Sequence, residues 1–157
     1  ALASPRLEAL IFGPGDYSAS QGMDSRVIEG HVADYPGDPW HYVRNRIAIA
    51  ARLAHIEAID GAYADFKNPD GYQRECTYAH ILGFSGKWAI HPNQISLANQ
   101  AFSPTPEEVT YARRLDAAYR EAQEKGIGAI AFEGKMVDVA IVRSVRNVLQ
   151  KADLIGM

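Results

Sequence analysis

The chain is 157 residues long, 47% hydrophobic and 22% charged, with a formal net charge of −3. That length suffices for one ordinary domain with a core, and the slight acidity gives no footing for nucleic acid or an anionic membrane as partner. The lone cysteine, Cys76, excludes an internal disulfide and fits a reducing compartment, so a cytoplasmic protein is expected; no run approaches the roughly 20 apolar residues of a membrane span, and no segment reads as a signal peptide.

Ala1-Leu2-Ala3-Ser4-Pro5-Arg6 lacks an initiator methionine and reads like the loop between a helix and a strand, so the chain is expected to be the C-terminal part of something longer. The first predicted strand is Leu7 to Phe12. Its apolar run ends at a glycine-rich turn, Gly13-Pro14-Gly15, which delivers the carboxylate of Asp16. A helix follows with Asp38 as cap and Pro39 in its first turn. Trp40, Val43, Ile47, Ala50, Ala51 and Ala54 recur along it at helical spacing and should face a sheet. Ile56 to Asp60 is the second strand. The next helix opens at Asn68-Pro69-Asp70, presents Tyr72, Cys76 and Ala79 on one face, and stops near Gly83. The third strand is Lys87 to His91, followed by Pro92.

Alternating strands and helices argue for an α/β fold with a parallel sheet. The short, mostly apolar strands are those of a sheet covered on both faces. Three such strands do not make a stable sheet alone, which again points to missing upstream units.

The pattern changes near Ser103. Residues 1–103 form the strand-and-helix portion and residues 104–157 an α-rich appendage. Thr105-Pro106-Glu107-Glu108 is a capping box with proline at the first helical position. Val109, Ala112, Leu115, Tyr119 and Ala122 then mark a long amphipathic helix ending at Lys125-Gly126. Ala129 to Phe132 and Lys135 to Val137 flank Glu133-Gly134 as a small hairpin. Asp138 opens a last helix, with Val142, Val145 and Leu149 on its face.

Asp16 is the first candidate for chemistry. An acid at a glycine turn on the C-terminal edge of a parallel sheet can hold a hard cation such as magnesium, and glycine lets a substrate approach the backbone. A plain Asp-containing turn accounts for it equally well. A second carboxylate would be needed, and Asp60 and Asp65 are candidates; a hydrogen-bonded strand-end acid is the competing reading of Asp60. His31, His41, His55 and His80 sit in loops or helices without ligand spacing, so zinc is not expected. His91 ends a strand on the functional edge, either as a site residue or as a residue pinning its loop. Asp138 caps a helix, but the hairpin before it would also hold an acid rigidly at the tip of a lid. Cys76 reads as core. Arg143, Arg146 and Lys151 read as a solvated helix face.

FGPGDYSASQG, YPGDPWHYVRNRI, IDGAYADFKNPDGY, LGFSGKWAIHPNQI, ANQAFSPTPEEV and FEGKMVD, in this order, run through essentially the whole chain. Together they resemble the malyl-CoA lyase and citrate lyase β-subunit-like family, within the HpcH/HpaI aldolase superfamily. The resemblance implies the C-terminal portion of a TIM (β/α)8 barrel, its last three βα units, followed by an α-rich lid with a small hairpin. It implies that Asp16 is one of two magnesium ligands, with manganese as a substitute ion. The other ligand, a glutamate on the preceding strand, and the family's substrate-binding arginine are both absent from these 157 residues.

The same resemblance implies that Gly13 and Gly15 border the carboxylate of a small keto acid, and that Ile90, His91 and Pro92 lie near coenzyme A. Asp138 matches the catalytic acid/base, acting from the lid on a neighbouring subunit of a homotrimer or homohexamer. The implied activity is cleavage or formation of malyl-CoA or a related β-hydroxyacyl-CoA, with acetyl-CoA (or propionyl-CoA) and glyoxylate as products. Citryl thioester cleavage of the citrate lyase β-subunit type, malyl-CoA thioesterase activity and citramalyl-CoA as substrate stay open. So does a non-catalytic assembly or binding fragment, because one ligand and the arginine are missing.

Overall fold

The computed structural model of the protein describes residues 4–27, 35 and 37–157. The chain divides into two compact units, Ala1–Phe102 and Ser103–Met157.

In the first unit, strands β1 (Ala9–Ile11), β2 (Glu57–Asp60) and β3 (Gly86–Lys87) form a parallel sheet in the order β1-β2-β3. Leu10 pairs with Ala58, Ile11 with Ile59, and Ile59 with Gly86. The first two strands lie within their predicted spans. The third ends four residues short of the predicted His91. Trp88 N–H still donates to the Asp60 carbonyl at 3.0 Å, but the Ile90 N–H turns away to Gln94 Oε1 at 2.8 Å. A helix begins at Pro92, so the ladder has nowhere to continue.

Two helices were not foreseen. α1 (Pro14–Ser20) starts where the sequence reads as a turn, and α4 (Pro92–Phe102) follows β3. Between them come α2 (His41–Ala54) and α3 (Pro69–Ile81). Asp38 does not cap α2 directly. Its carboxylate accepts from Trp40 N–H and its carbonyl from His41 N–H, making a turn that ends as the helix begins. Asn68 does cap α3, accepting from Gly71 N–H at 2.9 Å. Tyr72, Cys76 and Ala79 are fully buried, as their spacing predicts. Burial pushes the Cys76 thiol up to about 11, which suits a packed thiol and not a nucleophile.

Among the described residues, helices cover one face of the sheet, not two. Ala51 of α2 and Ala79 of α3 pack in one cluster with Ala58 and Leu10, so both helices lie on the same side. Small alanines at these contacts let the helices sit close to the strands. On the opposite face Ile11 is 48% exposed.

The second unit is an antiparallel pair of long helices with a hairpin between them. α5 (Pro106–Glu124) opens with the expected capping box: Glu108 N–H donates to Thr105 Oγ1 and Thr105 N–H to Glu108 Oε2. β4 (Ala129–Phe132) and β5 (Lys135–Asp138) are joined by Glu133 and Gly134, both at positive φ (48° and 76°), the signature of a type I′ turn. α6 (Val139–Leu154) packs Val142 and Val145 against Ala112, Leu115 and Tyr119 of α5. Arg146 is not merely solvated. It donates to the buried Asp116 at 2.7 Å, tying α6 to α5, while Arg120 donates to the other Asp116 oxygen from within α5.

Candidate functional site

The C-terminal ends of the three parallel strands carry the candidate residues of the first unit. Beyond β1, Gly13 stands at the N-cap of α1, and its carbonyl accepts from Tyr17 N–H at 2.9 Å. Asp16 stands in the first turn, exposed, with no hydrogen bond or ion pair to any described residue. A Cβ at Gly13 would come 3.3 Å from Asp16 Oδ2, whereas at Gly15 it would meet nothing within 4 Å, so the backbone there is open. The turn closes over β2 because Gly61 lacks a side chain: a Cβ there would run into Pro14 and lie 2.6 Å from the Phe12 carbonyl.

At β3, the Ile90-His91-Pro92 segment is held by Gln94. This buried amide accepts from Ile90 N–H and donates to the Tyr63 carbonyl at 3.1 Å. His91 is exposed and stacks on Phe66 at 4.8 Å, and Asn93 Nδ2 donates to the Phe66 carbonyl. The loop after β2 is therefore the common neighbour of the other two, under Pro14 through Gly61 and beside His91 through Phe66. These candidates share one edge. Asp138 stands in the second unit, where its Oδ1 accepts from Ala140 N–H (3.0 Å) and Ile141 N–H (3.2 Å).

Asp60 is not a spare metal ligand. It is fully buried, and its two oxygens accept from Arg44 Nε (2.9 Å), Arg44 Nη2 (3.2 Å) and Lys87 Nζ (2.7 Å). Arg44 also reaches Asp38 (2.7 Å) and Glu75 (3.1 Å), and Lys87 reaches Glu75 (2.7 Å). Three carboxylates thus surround two buried cations. Burial alone would raise the Asp60 pKa, but Lys87 and then Arg44 outweigh it and hold the carboxyl below its ordinary value. Asp65 accepts from Lys67 N–H within its own loop. His31 lies outside the described residues.

The sequence reading missed Arg44, Glu75, Lys87 and Gln94. A signal existed for Arg44: it sits four residues after Trp40 and three before Ile47, inside the apolar stripe, so a helix buries it. Because the folded Asp60 is the more acidic, its contribution to stability is complete above the unfolded carboxyl value of about 3.9 and fades as pH falls from there through its lowered native pKa. Urea melts from pH 7 to pH 2 are expected to hold steady down to about pH 4 on this account and then weaken. Indole fluorescence isolates the effect, since Trp40 and Trp88 are the only tryptophans and both lie in the first unit.

Among the described residues, no three His, Cys, Asp or Glu side chains come together to hold a metal. Asp16, unbonded among the described residues, offers one hard-oxygen donor beside open backbone. That fits one position of a magnesium ion, which takes one or two protein carboxylates and fills the rest with water and substrate oxygens.

The family model for HpcH/HpaI aldolase/citrate lyase matches residues 1–92. The chain belongs to this family. It is 36% identical to an L-malyl-CoA/beta-methylmalyl-CoA lyase of Cereibacter sphaeroides, over 99% of this chain and 52% of the relative. It is 36% identical to the mitochondrial citramalyl-CoA lyase of Rattus norvegicus, over 93% of this chain and 41% of the relative. The crystal structure of CitE from Mycobacterium tuberculosis, in complex with magnesium, acetoacetate and coenzyme A, superposes with a TM-score of 0.73 at 33% identity, covering 91% of this chain and 51% of that one. The α/β fold is thus that of CitE-like members of the HpcH/HpaI family, and the chain spans about half the length of the curated relatives it matches.

Proposed function

We propose that the chain forms the last βα units of a TIM barrel (residues 1–103) and the lid (residues 104–157) of a magnesium-dependent carbon–carbon lyase. The enzyme cleaves malyl-CoA, or a methylated relative, to acetyl-CoA or propionyl-CoA and glyoxylate. The observation that carries the reading is the Asp16 carboxylate, exposed and unbonded among the described residues, beside open backbone at the C-terminal strand edge, while Asp60 is consumed by cations. The barrel is supported by both helices lying on one sheet face with Ile11 bare on the other. The substrate class is supported by the lyase relatives and by the magnesium and coenzyme A bound to CitE.

In this reading Asp16 holds one position on the metal, and a carboxylate outside these 157 residues holds another. When bound, magnesium polarises the hydroxyl and carboxylate oxygens of the malyl unit. The bare backbone at Gly13 and Gly15 borders the keto-acid carboxylate, and Ile90, His91 and Pro92 flank coenzyme A. As the carbon–carbon bond breaks, its electrons pass to the thioester α-carbon and the carbinol becomes the keto-acid carbonyl, its hydroxyl proton leaving to solvent, from which Asp138 regains a proton after each turnover. Asp138 then protonates the α-carbon. In the reverse direction it removes that proton. Backbone N–H groups engage only its Oδ1, which leaves Oδ2 to exchange the proton. The lid serves a neighbouring subunit of a homotrimer or homohexamer, and its closure keeps water from the enolate.

The rat relative favours one extension: citramalyl-CoA carries one more methyl on the carbinol carbon and would give pyruvate in place of glyoxylate. Chromatography of the products from the protein at its natural length tests the reaction type. Equal amounts of acetyl-CoA and glyoxylate are expected. Free coenzyme A with malate would mark a thioesterase, and unchanged malyl-CoA and citramalyl-CoA would leave the chain an assembly or binding part.

A further inference from the structure

α1 has only seven residues, too few to stand by itself, and no side chain caps its start. What fixes it comes from the start of α2. The Trp40 indole Nε1–H donates to Ser18 Oγ at 2.9 Å, with both residues buried. Trp40 is itself fixed from behind. Asp38 accepts from its backbone N–H and, with the other oxygen, from Arg44 Nη1. The Arg44 guanidinium, anchored on Asp60, lies 5.4 Å from the Trp40 ring and 5.7 Å from the ring of Phe12, the last residue before the glycine turn.

Ser18 follows Asp16 by two residues, about 200° around a helix, so the two side chains point to opposite sides. Ser18 turned inward therefore means Asp16 turned outward, and the indole bond sets which way α1 is rotated.

We propose that Trp40 and Ser18 are positioning residues for Asp16, their buried hydrogen bond fixing the rotation of α1 and so the aim of the carboxylate. The inference rests on the reading of Asp16 as a metal ligand. The test is the affinity of the folded, natural-length protein for Mn2+ alone, followed by paramagnetic resonance. Ser18→Ala and Trp40→Phe are each expected to weaken Mn2+ binding on the order of tenfold, the usual scale for an outer partner of a metal ligand. The double variant should bind no more weakly than the weaker single variant, because one bond is lost only once. A purely structural bond would lower the melting temperature and leave the affinity of the folded protein alone.

Wild-type Mn2+ affinity in both folded single variants, or additive losses in the double variant, would overturn the proposal. Asp16→Asn separates the two ideas. If it too binds Mn2+ like wild type, the metal-site reading falls and the positioning role with it; if it alone loses Mn2+, only the positioning role falls.

Discussion

Replacing Arg44 with methionine is expected to cost the first unit about 3–5 kcal/mol, the range for removing one partner from a buried ion network. Arg44 is 1% exposed and Asp60 not at all, so water cannot take over the lost bonds. Asp60 and Glu75 would keep only Lys87, and Asp38 would keep no cation, among the pairs described. The effect spreads because Arg44 also lies over Phe12 and Trp40, the apolar support of the Asp16 helix. Arg44→Lys is expected to recover only part of the loss, since a single ammonium does not reproduce the guanidinium fork that reaches three carboxylates. Urea unfolding followed by indole fluorescence reads both variants. A methionine variant as stable as the parent would mean that the network is neutral to folding.

Asp138→Asn is expected to separate chemistry from structure. Asparagine caps a helix about as well as aspartate, so α6 and the hairpin should keep their stability. Asparagine exchanges no proton at this position, and turnover should fall by about two to four orders of magnitude, the usual share of general acid–base catalysis. Magnesium binding should be unchanged. Asp138→Ala would instead lose both functions and cost about 1 kcal/mol of stability as well. The steady-state rate and the thermal melt of the two variants check this. Full activity in the asparagine variant would reduce Asp138 to a helix cap.

Much of the second unit was legible because its signals are local. The stripe Val109, Ala112, Leu115, Tyr119, Ala122 repeats at helical spacing, Thr105 and Glu108 form a reciprocal cap, and Glu133-Gly134 fits a tight turn. All are fixed by neighbours in sequence, and all are found in the structure.

The first unit was legible in its first two strands and in the buried face of α3, but not at the site. PGDYSAS carries proline and two small polar residues with no apolar period, so α1 is a helix through its tertiary anchors at Tyr17 and Ser18. Trp88 and Ile90 alternate like a strand, yet both are exposed, at 51% and 53%, and the segment follows its bond to Gln94 instead. Charged residues read as solvated by default, and residues 38, 44, 60, 75 and 87 meet only because the sheet register sets Asp60 opposite Lys87. The family motifs pointed to the proposed site residues where periodicity did not, and the structure added what holds them: Gly61 under the turn, Trp40 behind it, and Gln94 behind His91.

The most direct measurement is glyoxylate release from malyl-CoA as magnesium is raised, on the natural-length protein and its Asp16→Asn variant. Release should require magnesium in the parent and be lost, or shifted to far higher magnesium, in the variant. Release that persists in chelator, or that is indifferent to Asp16, would contradict it.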